Sequence, residues 1–189
     1  MTAEEVYSKI ASHMIKGMMA HDQLANYYDF LGLKGYKRCH EYHFMCETVA
    51  YRSINRYFIN HYNKMVEQEQ VSDPELIPSS WYKYTRHDVD INTKRNAVKV
   101  GLDKWVAWEK ETKTLYEGMY KELVDINEIA LALKVKELVC DVDHELKTAE
   151  RELLDIKATD YDMSYIVSEQ SYMHDKYKKK MKKIGVSLC

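Results

Sequence analysis

The chain is poor in residues that break helices. It has 189 residues but only 6 Gly and 2 Pro, and both prolines, Pro74 and Pro78, fall in one short stretch. With 31% charged residues, that scarcity excludes turn-rich sandwiches and barrels and points to long helices. Phenylalanine is scarce too. The 3 Phe stand against 16 Tyr, so a core built from this chain carries many polar-tipped rings whose hydroxyls need partners when buried. No apolar run approaches the ~20 residues that span a bilayer. The formal net charge of −2 gives no general pull toward nucleic acid or an anionic membrane. The start, MTAEEVYSK, is acidic and polar and does not read as a signal peptide. A cytoplasmic protein without membrane or nucleic-acid partners is therefore expected.

The 4 Cys are Cys39, Cys46, Cys140 and Cys189, and no CxxC pair occurs among them. Cys39 and Cys46 would lie roughly 10 Å apart along one helix, too far for a disulfide, so reduced thiols are expected. There is also no phosphate-cradling glycine loop, no GxSxG, no HExxH and no EF-hand loop. These absences leave helix-borne side chains as the place for chemistry.

Five helices are predicted. The first covers residues 2–31 and ends around Gly32 and Gly35. The second covers 36–69, antiparallel to the first. Residues 70–91, QVSDPELIPSSWYKYTRHDVDI, hold both prolines and no helical stripe. A third helix runs from about Asn92 to Leu123. Asp125-Ile-Asn-Glu128 resembles a capping box opening a fourth, which reaches Lys157. Thr159 or Asp160 would cap a fifth, running to Ile184 and stopping at Gly185. The second helix is roughly 50 Å long, and a connection of about 22 residues can stretch to about 70 Å. It can cross the whole bundle, so two hairpins joined by one long crossover are expected. Residues 1–157 form the expected bundle, and 158–189 an added C-terminal helix with a basic end.

Each bundle helix places polar groups on an otherwise apolar stripe. His21 lies among Ile10, Met14, Leu24, Tyr28 and Leu31. Glu47 lies among Phe44, Tyr51, Ile54 and Phe58, and Glu109 among Leu102, Trp105, Thr112, Tyr116, Met119 and Leu123. Glu145 lies among Leu138, Val142, Ala149 and Leu153, with Asp141 and His144 at the stripe's edge. An ionised group facing a core is costly unless paired. Measured from hairpin tips near residues 33 and 126, His21 and Glu47 differ in height by about 3 Å, and so do Glu109 and Glu145. If both tips share one end, all of these groups fall within about two turns of one level. A shared metal ion is one way to satisfy them. Paired cations are the other, with Arg52, Arg56 or Lys104 as partners for Glu47 and Glu109, and Lys147 or Arg151 for Glu145. His40, His43 and Glu47 form a further possible cluster on one face, although partly exposed histidines are the commoner outcome near a hairpin tip. His61 is expected to be hydrogen-bonded in the core or at an interface.

The layout resembles the ferritin-like superfamily, in which a four-helix bundle holds two metal ions with a Glu from two helices and Glu-x-x-His from the other two. KGYKRCHEYHFMCETVA (34–50) resembles the second-helix segment with Glu47 as the metal Glu, and the family's histidine falls on Ala50. VKVGLDKWVAWEKETKTLY (98–116) resembles the third with Glu109. His21 stands where the first helix supplies Glu, and Tyr28 follows as an aromatic often does in ferritins. On the fourth helix Asp141-Val-Asp-His144 reproduces an acid-x-x-His pair, whereas the apolar stripe favours Glu145. The resemblance implies an all-α, up-down, ferritin-like bundle. Its metal site would draw on His21, Glu47, Glu109, Asp141, His144 and Glu145, and iron would be oxidised or sequestered there. Manganese and zinc are alternative metals. With Ala50 in place of a histidine, one metal fits better than a standard pair. A metal-free structural or interaction module is the alternative reading, and self-association into a homo-oligomer is expected in either case.

Overall fold

The computed structural model describes residues 1–65 and 69–184. Its helices are α1 (Ala3–Phe30), α2 (Lys34–Tyr62), α3 (Ile91–Asp125), α4 (Ile129–Ala158) and α5 (Met163–Lys183). There is no strand among the described residues, and no helix is long and apolar enough to cross a membrane. The expected all-α architecture of five helices is present. Helix starts follow from capping chemistry. Thr2 and Glu5 exchange the two bonds of a capping box at the start of α1. Asp90 accepts from the Thr93 amide at 2.7 Å to open α3, and Asp162 accepts from Tyr165 at 3.0 Å to open α5.

Several boundaries differ from the sequence reading. Helix α2 ends at Tyr62 because Asn63 takes a left-handed conformation, φ 55°, and closes it; residues 66–68 of the predicted extension lie outside the described residues, as do Gly185 and Cys189. Asp125 does not cap α4. It ends α3, and Asn127 at φ 61° makes the turn before Glu128. Thr159 closes α4, and Asp160 and Tyr161 both adopt positive φ before α5 begins. His61 is exposed and stacks on Tyr57 at 5.5 Å.

The helix directions correct one expectation. Tyr27 Oη donates to the Ala97 carbonyl at 3.1 Å, His13 Nε2 lies 2.8 Å from Thr112 Oγ1, and the Met1 amino group lies 3.7 Å from Glu122. As the α1 number falls the α3 number rises, so the two are antiparallel and the hairpin tips sit at opposite ends. Tyr62, at the end of α2, accordingly donates to Glu128 beside the second tip at 2.7 Å. The polar groups still share a level. Lying about 12–14 residues from one end is equivalent to lying about 17–19 from the other in helices of this length.

The crossover is fastened to α1. Gln23 accepts from the Leu76 amide at 3.1 Å and donates to Asp73, while Leu76 and Ile77 are buried. Trp81 packs edge-on against Tyr27 at 5.3 Å. Helix α5 lies along α2 in the same direction, with Gly35 opposite Gln170 and Tyr42 opposite Tyr177, rings 5.4 Å apart. Met163, Ile166, Met173 and Tyr177 form its buried side.

Apolar burial falls into two clusters. One gathers Leu24, Tyr28, Tyr36, Leu102, Trp105, Ile156 and Tyr177. The other gathers Val6, Ile10, Met14, Phe58, Tyr116, Leu123 and Val135. The polar groups singled out above lie between them.

Gly35 sits inside the first turn of α2, not in the turn itself. A Cβ there would lie 1.8 Å from the Gln170 carbonyl oxygen, so the α2–α5 approach requires glycine. Around Gly118, on α3, nothing lies within 4 Å of an added Cβ. Opposite signs follow. Gly35→Ala is expected to destabilise by about 1–3 kcal/mol through overpacking, and Gly118→Ala to stabilise by about 0.5–1 kcal/mol through helix propensity. Denaturant melts of both variants test this. Hydrogen exchange on Gly35→Ala should place the lost protection in α5.

Candidate metal centre

Each hairpin contributes an imidazole or a carboxylate to the level between the apolar clusters. His21 on α1 is fully buried, and its Nδ1 lies 3.2 Å from Nδ1 of His40 on α2. One of those two nitrogens must carry the proton, which leaves His21 Nε2 facing the bundle centre. There it lies 3.6 Å from Oε1 of Glu109 on α3. The Trp105 indole, one turn earlier, donates to the same oxygen at 2.9 Å. On α2, His43 Nδ1 lies 3.1 Å from Oε1 of Glu145 on α4. One donor atom each from His21, His43 and Glu145 lies within 4.8 Å of the others.

Glu47, one turn beyond His43, is partly buried. It rests against α1 where Gly17 leaves room, since a Cβ on Gly17 would stand 3.0 Å from Glu47 Oε1. It therefore faces the same layer one turn from the imidazoles. Asp141 and His144 are exposed and line the outer part of a cavity of about 260 Å³, which reaches inward to His43, Glu47 and Glu145. Helix α5 supplies Tyr177 and Lys180 to its wall.

Among the described residues none of the candidate cations, Lys104 included, forms an ion pair with these carboxylates. Arg52, Arg56 and Arg151 are exposed, and Lys147 pairs with Asp143. Among the described residues the carboxylates' ionic partners are imidazoles alone. Burial, reinforced by the Glu145 charge, raises the Glu109 carboxyl to about 8 and holds Glu47 well above the usual carboxylate range. Burial and the neighbouring His43 charge lower His21 to about 3, and burial with His21 beside it lowers His40 as well. Burial alone would lower His43 too, but Glu145 and Cys39 outweigh it and raise the imidazole. Burial works against Glu145 in the same way, and His43 holds that carboxyl below its ordinary value. His43 and Glu145 therefore stand as an imidazolium–carboxylate pair, with Glu47 and Glu109 biased toward the neutral form.

Several buried polar atoms in this layer have no hydrogen-bond partner, among them His21 Nε2, His43 Nε2 and Tyr116 Oη. Unsatisfied imidazole nitrogens that face a carboxylate cluster fit a cation: two imidazoles and a carboxylate form a mononuclear donor set familiar for iron(II). They do not fit a pair of ions as well. On α2 the position one turn past Glu47 is Ala50, and Gly17 stands on α1 opposite Glu47.

The sequence reading placed His21, Glu109 and Glu145 in the layer where the structure has them, with Glu47 one turn off. It underweighted His40 and His43, which are buried, not partly exposed. Their spacing to Glu47 was the available signal. Measured from the first tip, His43 and Glu47 bracket the height of His21 equally, about 3 Å to either side, so height alone did not choose between them.

No family model and no curated protein matches the sequence. Among solved structures, a humanized archaeal ferritin aligns at a TM-score of 0.74 with 10% identity, covering 90% of this chain and 94% of that one. A closed form of Archaeoglobus fulgidus ferritin made by site-directed mutagenesis also aligns at 0.74, with 14% identity and coverages of 92% and 96%. A PmFTN variant soaked in iron aligns at 0.71, with 9% identity and coverages of 89% and 97%. About nine-tenths of the chain thus shares the ferritin-like fold of these structures.

Proposed function

We propose that the chain binds one divalent transition-metal ion, iron(II) by preference, at His21, His43 and Glu145, with Glu109 beside His21. The observation that carries this reading is the convergence of those three donors within 4.8 Å while His21 Nε2 and His43 Nε2 lack partners. Iron is the cargo. When bound by two imidazoles and a carboxylate, iron(II) can pass an electron to dioxygen, so oxidation or sequestration is the associated chemistry. The protein's own part is positional. His40 fixes the His21 tautomer, Trp105 orients Glu109, and the apolar clusters above and below limit water. Asp141 and His144 line the cavity as the approach for cations from solvent, outside the binding set. The structural neighbours support iron, one of them having been soaked in it. Self-association belongs to the same reading, with Val49, Ile59 and Leu133 as exposed apolar side chains available to a contact.

Anaerobic titration with Fe(II) is expected to saturate near one ion per chain. Glu145→Gln and His43→Gln should each weaken binding by ~100-fold or more, since even supporting groups cost 10–100-fold. Asp141→Asn should leave saturation binding unchanged. Absence of binding by the wild-type chain, with Glu145→Gln equally stable, would show that the layer has a structural role only. Ala50→His should raise the stoichiometry toward two by supplying the missing imidazole next to Glu47.

The pH dependence has a definite sign. Glu109 and Glu47 hold protons in the folded state that they release when unfolded, and the raised His43 does the same. Metal-free stability therefore falls as pH rises from about 6.5 to 8. His21 and His13, lowered to about 3 and about 4, act only below about 6.5, where acid costs stability. Metal binding displaces protons from the same groups and so strengthens with pH. Melting curves between pH 6.5 and 8 should show a falling melting temperature for the metal-free chain. The increment given by Zn(II) or Fe(II) should widen over that range.

A further inference from the structure

We propose that Tyr36 is a one-electron redox site, joined to the surface at Trp81 by a column of rings, with Glu152 as acceptor of its proton. The role does not depend on metal binding. Tyr36 is fully buried, and its hydroxyl donates to Glu152 Oε1 at 2.6 Å. Its ring stacks on Tyr28 at 5.0 Å. From Tyr28 the column runs two ways. Inward, Tyr28 stacks on His40 at 5.4 Å with the planes 2° apart, and His40 meets His21. Outward, Tyr28 contacts Tyr27 at 5.7 Å, Tyr27 contacts Trp81 at 5.3 Å, and Trp81 contacts the exposed Tyr84 at 5.0 Å.

Oxidation of a phenol makes its hydroxyl a strong acid, so a buried tyrosine is readily oxidised only where a base is already in contact. Tyr36 alone in the column has one. Tyr28 Oη has no partner, and Tyr27 donates to a backbone carbonyl, which cannot hold a proton. Burial raises the Glu152 carboxyl to about 7, against the opposing effect of the Tyr36 hydrogen bond, so its carboxylate is a better base than an exposed one. In the proposed step Tyr36 gives one electron to an oxidised neighbouring ring and one proton to Glu152. The products are a neutral phenoxyl radical, a protonated carboxyl and a restored ring. The oxidant is a one-electron acceptor that reaches Trp81 from solvent.

The test uses the metal-free full-length chain carrying Tyr82→Phe and Tyr84→Phe, which removes the exposed tyrosines near Trp81. Azide radicals from pulse radiolysis oxidise Trp81, because Trp105 and Trp108 are buried. The tryptophanyl absorbance is then expected to convert to tyrosyl absorbance at a rate independent of protein concentration. Tyr36→Phe should remove most of that tyrosyl yield. Glu152→Gln keeps every ring and an oxygen acceptor but loses the base, and should slow the conversion by ~100-fold, the low end of a positioned base's contribution. Melting temperatures establish that each variant is folded; should Tyr36→Phe not fold, Glu152→Gln decides alone. Unchanged conversion in folded Tyr36→Phe, or an unchanged rate in Glu152→Gln, overturns the proposal. Neither result bears on metal binding at His21, His43 and Glu145.

Discussion

The constraint that organises this protein is a layer of ionisable groups held out of water between two apolar clusters. His21, Glu109, His43 and Glu145 meet there from all four bundle helices. Desolvating a charge costs far more than a single contact returns, so the layer persists only through mutual pairing. Imidazolium against carboxylate is the pairing in the structure, and it is incomplete, because His21 Nε2 and His43 Nε2 have no hydrogen bond. The neutral bias of Glu47 and Glu109 has the same origin. Among the described residues no lysine or arginine forms an ion pair with these carboxylates, so the excess ones are stabilised by holding protons.

The rest of the architecture keeps that layer closed. The crossover lies over α1 and is pinned by Gln23 to the Leu76 amide. Helix α5 covers α2 along the side where His43 and Tyr42 lie, with Tyr177 5.9 Å from His43. Its close approach rests on the missing Cβ of Gly35. The lysines near its end do more than solvate a helix terminus. Lys180 lies 5.1 Å from the rings of both Tyr42 and Tyr177 and forms part of the cavity wall, placing a cation–π contact where the layer comes nearest to solvent.

Much of this could be read from residue spacing, because helices of this length impose a strict register. The stripe around Glu109 runs from Leu102 through Trp105 and Thr112 to Tyr116 and Leu123, all buried, and a period of 3.6 makes that legible. The crossover was legible from its prolines and its length. What the spacing could not supply was direction. Placing both tips at one end gave nearly the right level for the wrong reason, since a site near mid-helix is level from either end. It also could not show which turn of α2 faces α1. The small side at Gly17 draws Glu47 toward α1 and brings His43 opposite His21, and that depends on packing between helices. The cap of α5 is Asp162 and not Thr159 or Asp160, because Asp160 and Tyr161 adopt left-handed backbone conformations, which tyrosine rarely favours.

The division between scaffold and layer also explains how a ferritin-like bundle can differ from an acid-x-x-His pattern without losing its shape. The two apolar clusters are built from residues such as Ile10, Phe58 and Leu131 on one side and Leu24, Leu102 and Ile156 on the other. None of them depends on the identity of the polar groups between. A histidine on α1 and a glycine opposite Glu47 are therefore tolerated by the fold, and their consequence is confined to the layer. Taking one large side chain from α1 and one from α2 leaves space for Glu47 to lie against Gly17. It also shifts the donor convergence by one turn, to His21 and His43. The result is a smaller, more nitrogen-rich set of converging donors, and the proposed single-cation site rests on that set.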